Sequence, residues 1–214
     1  MAVTTVIDRY KDIRYSLFKW RCETRIVYKI FLALAMACFT GIAAQARIPL
    51  PWTPVPITAQ TFAVLLSAVL LGRWYGGLSQ VFYLGAGAAG LPWFQGGRGG
   101  IAILSGPTGG YIVGFVLAAL FIGYFVDRSI KARSFFPMFA LMLFANFVLI
   151  HLPGLFQLSI FTGVRDICKL LMMGTLPFIG GDVVKILTAA VLAKGITPKQ
   201  AYNGEVDAGF SSRQ

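Results

Sequence analysis

The feature that most constrains this chain is a series of apolar runs, each close to the roughly 20 residues that an α-helix needs to cross a bilayer. They cover residues 30–46, 57–72, 75–91, 111–126, 135–152 and 176–193. In hydrocarbon every backbone N–H and C=O must be bonded within the protein, which a helix achieves locally. The sequence therefore predicts an all-α membrane protein with six transmembrane helices. Charge supports this: 57% of the residues are hydrophobic and only 13% are charged, whereas soluble domains carry about 25% charged residues. The expected organisation is a basic N-terminal segment (1–29), a six-helix membrane domain (30–194) and a polar tail (195–214). Six spans use most of the 214 residues, which leaves no room for a nucleotide-hydrolysing domain.

The net charge of +11 would suggest nucleic acid on a soluble protein. Here the basic residues sit at the ends of the runs, so they report orientation. With an inner N-terminus and six spans, the outer segments hold only Arg47, Arg98, Arg165 and Lys169, and Lys185 lies within the last run. All the remaining Lys and Arg, out of 19, fall in inner segments. Both termini are expected in the cytoplasm, and the protein in the cell membrane as a multi-pass chain. Residues 1–29 lack the early apolar core of a secretory signal. With Tyr10, Tyr15, Leu17, Phe18 and Trp20 among the basic residues, they read either as an interfacial helix or as a solvated basic tail.

The outer segments are distinctive. Prolines at 49, 51, 54 and 56 forbid helix and give a stiff, extended loop. Residues 92–100 form a glycine-rich loop around Arg98, whose guanidinium can grip a carboxylate with two parallel hydrogen bonds. The segment 153–177 mixes Arg165, Asp166 and Lys169 with apolar residues. Trp52, Trp93, Phe94 and Tyr111 are either interfacial anchors or the walls of an apolar pocket. Gln60 can both donate to and accept from an amide-like ligand.

Asp182 and Lys185 carry the most information. A charge at membrane depth costs at least about 2.5 kcal/mol on insertion scales. Two opposite charges three residues apart share a helix face and compensate each other. Such pairs either lock helices together or line a substrate path, and the path is the favoured reading. Ala33 and Ala37, like Gly110 and Gly114, have the four-residue spacing that lets helices approach closely in lipid.

Other chemistry is not indicated. Cys22, Cys38 and Cys168 have neither metal nor disulfide spacing. The run Gly85-Ala86-Gly87-Ala88-Ala89-Gly90 matches a dinucleotide fingerprint but lacks the strand and acidic residue that would support it. His151 stands alone in the sequence. No metal site, no cofactor and no nucleophile–base pair is expected, and the chain does not read as an enzyme.

Three stretches, 54–61, 90–94 with 106–111, and 181–185, resemble the BioY family, the biotin-specific capture subunits (S components) of energy-coupling-factor transporters. The resemblance spans about residues 30–194. It implies a six-helix fold that binds biotin near the outer face under loop lids. It also implies partners: a transmembrane coupling subunit and two cytoplasmic ATPase subunits. On this resemblance Ala33 and Ala37 match the motif that contacts the coupling subunit, and Asp182 and Lys185 match the polar pair linked to ligand binding. Arg98 falls where a ligand-contacting arginine is expected. Asp182 suits a ureido N–H, Arg98 or Lys185 suits the biotin carboxylate, and Trp and Phe side chains suit the ring. The competing expectations are capture of another small carboxylated vitamin, or a carrier that works without ATPases.

Overall fold

A computed structural model describes residues 2–209, with side chains from Val6 onward; Arg213 and the rest of 210–214 lie outside the described residues. About three-quarters of the chain is helical. Among the described residues, five stretches are long and apolar enough to cross a membrane. They are α2 (Ile26–Gln45), α3 (Gln60–Ala88), α5 (Gly109–Arg128), the composite Phe135–Thr162, and the composite Ile167–Ile196. Large apolar side chains such as Ile42, Phe136, Phe156, Ile160 and Val184 point outward along these stretches. Lipid, not water, suits that surface, and the chain is a multi-pass membrane protein.

Five stretches stand where six runs were expected because α3 contains two of them. Its backbone breaks at Gly72, with φ +75° and ψ −170°, a conformation that glycine tolerates and other residues resist. The limbs 60–71 and 73–88 then fold back on each other. Gln60 donates to the Tyr83 hydroxyl at 2.7 Å, and Gln80 donates to Ser67 Oγ at 3.0 Å. Asp127, at the end of α5, closes the turn by accepting from the Arg73 backbone N–H at 2.8 Å.

α3 and α5 are the central helices: 56% and 61% of their most apolar stretches are buried, against 28% for α2. Gly110 and Gly114 let α5 press onto the backbone around Pro153 and Ile150.

The mixed segment after Pro153 needs correction. Helix continues past it: α6 (Phe135–Phe144), a π-helical turn (Ala145–Ile150) and α7 (His151–Thr162) run on without a gap. Pro153 has no N–H to offer the carbonyl four residues back, and the ladder shifts register just before it. There the His151 N–H donates to the Asn146 carbonyl, five residues away. After Thr162 come α8 (Ile167–Gly174), capped by the Asp166 side chain, a 3-10 turn (Leu176–Phe178) and α9 (Ile179–Ile196).

One end of the bundle carries the loops. The proline-rich segment is pinned by two short paired strands, β1 (Arg47–Ile48) and β2 (Ile57–Thr58). The glycine-rich loop leads into the short helix α4 (Ile101–Leu104). The opposite end carries α1 (Ala2–Glu23), which is held against the bundle rather than left as a solvated tail. Phe18 is buried, and Arg21 pairs with Asp127 at 2.5 Å. Residues 197–209 fold against the same end. There Arg133 and Glu205, both with fully buried side chains, pair at 2.6 Å.

Ala33 and Ala37 also need correction as a partner surface. Both are completely buried within the chain. Their small side chains let α2 close onto its own bundle, so they expose nothing for a separate subunit to touch.

Candidate functional site

A polar cavity lies beneath the loops at the first end, between α3, α5, the π-turn and α9. Its empty space, counting the solvent-open mouth, is about 550 Å³. Val55, Pro56, Ile112, Phe115, Ile150 and Phe178 provide apolar wall, and Gln60, Thr61, Gln95, Thr108, Tyr111, His151, Asp182 and Lys185 provide polar groups.

Asp182 is the centre of this cluster and is 2% exposed. One turn along α9, Lys185 Nζ donates to Asp182 Oδ1 at 2.6 Å. The other oxygen, Oδ2, accepts from Asn146 Nδ2 at 2.9 Å and meets His151 Nε2 at 3.0 Å. A carboxylate only accepts, so this network assigns the proton to Nε2. In the neutral ring Nδ1 then accepts from the Thr175 hydroxyl at 3.2 Å. Three donors on one buried carboxylate replace the water that burial removes.

Asn146 and His151 reach the same oxygen because of the π-turn. An α-helix has 3.6 residues per turn and would splay residues five apart around its axis. A ladder bonded from i to i+5 brings them together. Phe147, Phe178 and Tyr111 pack around the His151 ring with centroids 5.4, 6.2 and 5.6 Å away. Tyr111 is fixed in turn by its hydroxyl, which donates to the Gly174 carbonyl at 2.8 Å.

The loops are bonded to this cluster. Lys185 Nζ also donates to the Thr58 carbonyl of β2 at 2.9 Å. Thr58 Oγ1 donates to Gln60 Oε1 at 3.0 Å. Gln95, from the glycine-rich loop, donates to Thr108 at 3.3 Å. The Thr61 hydroxyl is buried at the cavity and has no hydrogen-bond partner among the described residues.

Of the residues singled out in the sequence, the fold brings Asp182, Lys185, Gln60 and Tyr111 to the cavity. It places the other four elsewhere. Arg98 is exposed, and its Nε donates to the Gln95 carbonyl at 3.3 Å. Its glycine neighbours Gly96 and Gly97 serve a tight turn, with φ +75° and +65°. Trp52 is 61% exposed at the tip of the proline-rich loop. Trp93 lies across Gly41 of α2 and donates its Nε1 hydrogen to the Tyr83 carbonyl at 2.9 Å. Phe94 is fully buried against Gly87, edge-on to Tyr83.

His151, Asn146, Thr58, Thr61, Gln95 and Thr108 were not anticipated. For His151 and Asn146 the signal available was their polarity inside the fifth apolar run, where such side chains usually face a partner. His151 stands alone only in the linear sequence.

The arrangement offers one balanced ion pair, several neutral donors and acceptors, and an apolar wall. It suits a small molecule with a polar head and an apolar body.

The chain is 52% identical to a probable biotin transporter BioY of Methanothermobacter thermautotrophicus over 66% of its own length and 94% of that protein. It is 39% identical to the biotin transporter BioY of Thermotoga maritima, over 71% and 86% of the two chains. A crystal structure of the S-component for biotin from an ECF-type ABC transporter superposes with a TM-score of 0.73 at 27% identity. That match covers 80% of this chain and 92% of the other. The BioY family model matches residues 15–201, and on that match, together with these relatives, the chain belongs to the BioY family.

Proposed function

We propose that this chain captures biotin from the side that carries the 47–58 and 89–108 loops and passes it inward as the S component of an energy-coupling assembly. The observation that carries this reading is the Asp182 cluster opening onto a cavity beneath those loops. Two relatives at 39% and 52% identity are named as biotin transporters, one as probable, and the superposed structure is an S-component for biotin.

Spare hydrogen-bonding capacity supports the same ligand. A carboxylate offers about four acceptor sites. Asp182 uses three of them, with the open one on Oδ1. An ammonium has three donors, and Lys185 uses two. Asp182 can therefore accept a ureido N–H and Lys185 can hold the ligand carboxylate. Gln60, Tyr111 and the unpartnered Thr61 hydroxyl complete the polar contacts. Arg98 acts from the rim as a charge that attracts the carboxylate tail.

Six crossings follow if the two limbs of α3 each span the bilayer. The bias of Lys and Arg then sets both termini in the cytoplasm. The partners on that side are a transmembrane coupling subunit and two ATPases.

Calorimetric titration of biotin into the purified chain tests the reading. Saturable one-to-one binding is expected, weaker with desthiobiotin, whose ring lacks the sulfur bridge. Absence of saturable binding by folded protein would overturn it.

A further inference from the structure

We propose that α1 lies in the membrane surface and that its cleft with the end of α9 holds the phosphate of an anionic phospholipid. The first observation is a second apolar stripe on α1. Phe18 faces the bundle and is 5% exposed. Val6, Tyr10, Ile13, Leu17 and Trp20, spaced four, three, four and three apart, form a separate row on the helix. All five are 47–68% exposed. Asp8, Arg9, Asp12, Ser16 and Lys19 populate the remaining, polar face. A helix held against a membrane protein by one face, with an outward apolar row and a separate charged face, is suited to lie in the membrane interface.

The second observation fixes the helix in place. The Tyr10 hydroxyl donates to the Gly195 carbonyl at 2.5 Å, and the Arg14 guanidinium donates to the Lys194 and Thr197 carbonyls. The helix therefore sits where the last apolar stretch ends. Leu17 and Trp20 open onto a groove whose far wall is Leu32, Ala35 and Met36 of α2.

The third observation is charge. The cleft between α1 and the α9 end is lined by Lys11, Arg14, Lys194 and Lys199 beside Ile7 and Tyr10. Among the described residues, no carboxylate is in ion-pair reach of Lys11, Lys194 or Lys199. The Arg14 Nε hydrogen is buried without an acceptor. The carbonyl end of α9 carries partial negative charge, so the lysines must supply the attraction for an anion. A soluble phosphate could meet these cations but would leave the adjoining apolar row in water. A phospholipid satisfies both, with its phosphate in the cleft and its acyl chains along the row.

The test uses the full chain in bilayers containing brominated phosphatidylglycerol or brominated phosphatidylcholine. It follows the part of the tryptophan emission that Trp20→Phe removes. Phosphatidylglycerol should quench this signal at several-fold lower mole fraction than phosphatidylcholine. In the Lys11→Gln/Lys194→Gln/Lys199→Gln variant the two lipids should agree to within about twofold, because each basic residue near an anionic surface contributes a comparable attraction. Biotin binding by that variant should be unchanged, which shows that it has folded. Equal quenching by both lipids in the unaltered chain, no quenching by either, or a preference that survives in the variant would each refute the proposal. So would loss of the preference in millimolar inorganic phosphate but not in chloride of matched ionic strength, which would identify a soluble anion.

Discussion

Asp182 has three protein partners, and they play different parts. Lys185 balances its charge, while His151 and Asn146 hold its second oxygen in one orientation. Removing one member of such a pair strands the other charge in a dry site. Asp182→Asn and Lys185→Met are each expected to weaken biotin binding by about 2 kcal/mol or more, as read by calorimetry. His151→Ala removes one donor from a buried carboxylate and should cost about 1–3 kcal/mol in stability or affinity. Arg98 is exposed, so Arg98→Ala should cost at most about 1 kcal/mol; a larger loss would show that the loop closes over the ligand. The sequence disclosed Asp182 and Lys185 because charges stand out in an apolar run. It concealed His151 and Asn146 because their shared face depends on a π-turn, which no α-helical spacing rule anticipates. Arg98 stood out for its glycines, which in the fold turn the chain and leave the arginine at the rim.

At the level of elements, the apolar runs located the helices well, and the errors fall at their ends. Runs two and three are the two limbs of one bent element, α3. The fifth apolar run ends at Leu152, yet a register shift absorbs Pro153 and helix continues to Thr162. The turn at Gly72 depends on a conformation that only glycine adopts cheaply. A Cβ there would also sit 2.6 Å from the Asp127 carboxylate oxygens. Gly72→Ala is therefore expected to destabilise the chain by about 1–3 kcal/mol from backbone strain alone, measured by thermal unfolding in detergent. Asp127 also pairs with Arg21, so the same change should loosen α1.

Across the whole molecule, the two ends have separate tasks. The loop end holds the cavity, and the opposite end is a clasp. Arg133 donates to the carbonyls of Val126, Pro198 and Gln200 and to Glu205, while Asp207 accepts from the Ile130 and Lys131 N–H groups at 2.7 and 2.8 Å. Burial opposes the charge on Glu205, but the Arg133 hydrogen bond and the backbone N–H groups of Tyr202 and Asn203 outweigh it and hold the carboxyl below its usual range. Such a group stabilises the fold fully above its unfolded pKa, about 4.3, and the contribution fades as pH falls through the lower folded value. The melting temperature should drop on acidification over that window, and less so in Glu205→Gln. Glu205→Ala should cost about 3–5 kcal/mol by leaving a buried guanidinium without its counter-charge. The proposed topology has its own check in a chain with Cys22, Cys38 and Cys168 replaced by Ala. In right-side-out vesicles an impermeant thiol reagent should label Trp52→Cys and spare Asn203→Cys.

The clasp also bears on how the molecule is assembled. A ribosome delivers Arg133 first and Glu205 only 72 positions later, a delay on the order of ten seconds at ordinary elongation rates. Throughout that interval the guanidinium lacks its Glu205 partner, so this end of the bundle stays unfinished. Completion waits for Glu205 to emerge, and a nascent chain stalled before it should be far more open to proteolysis at that end than the finished protein.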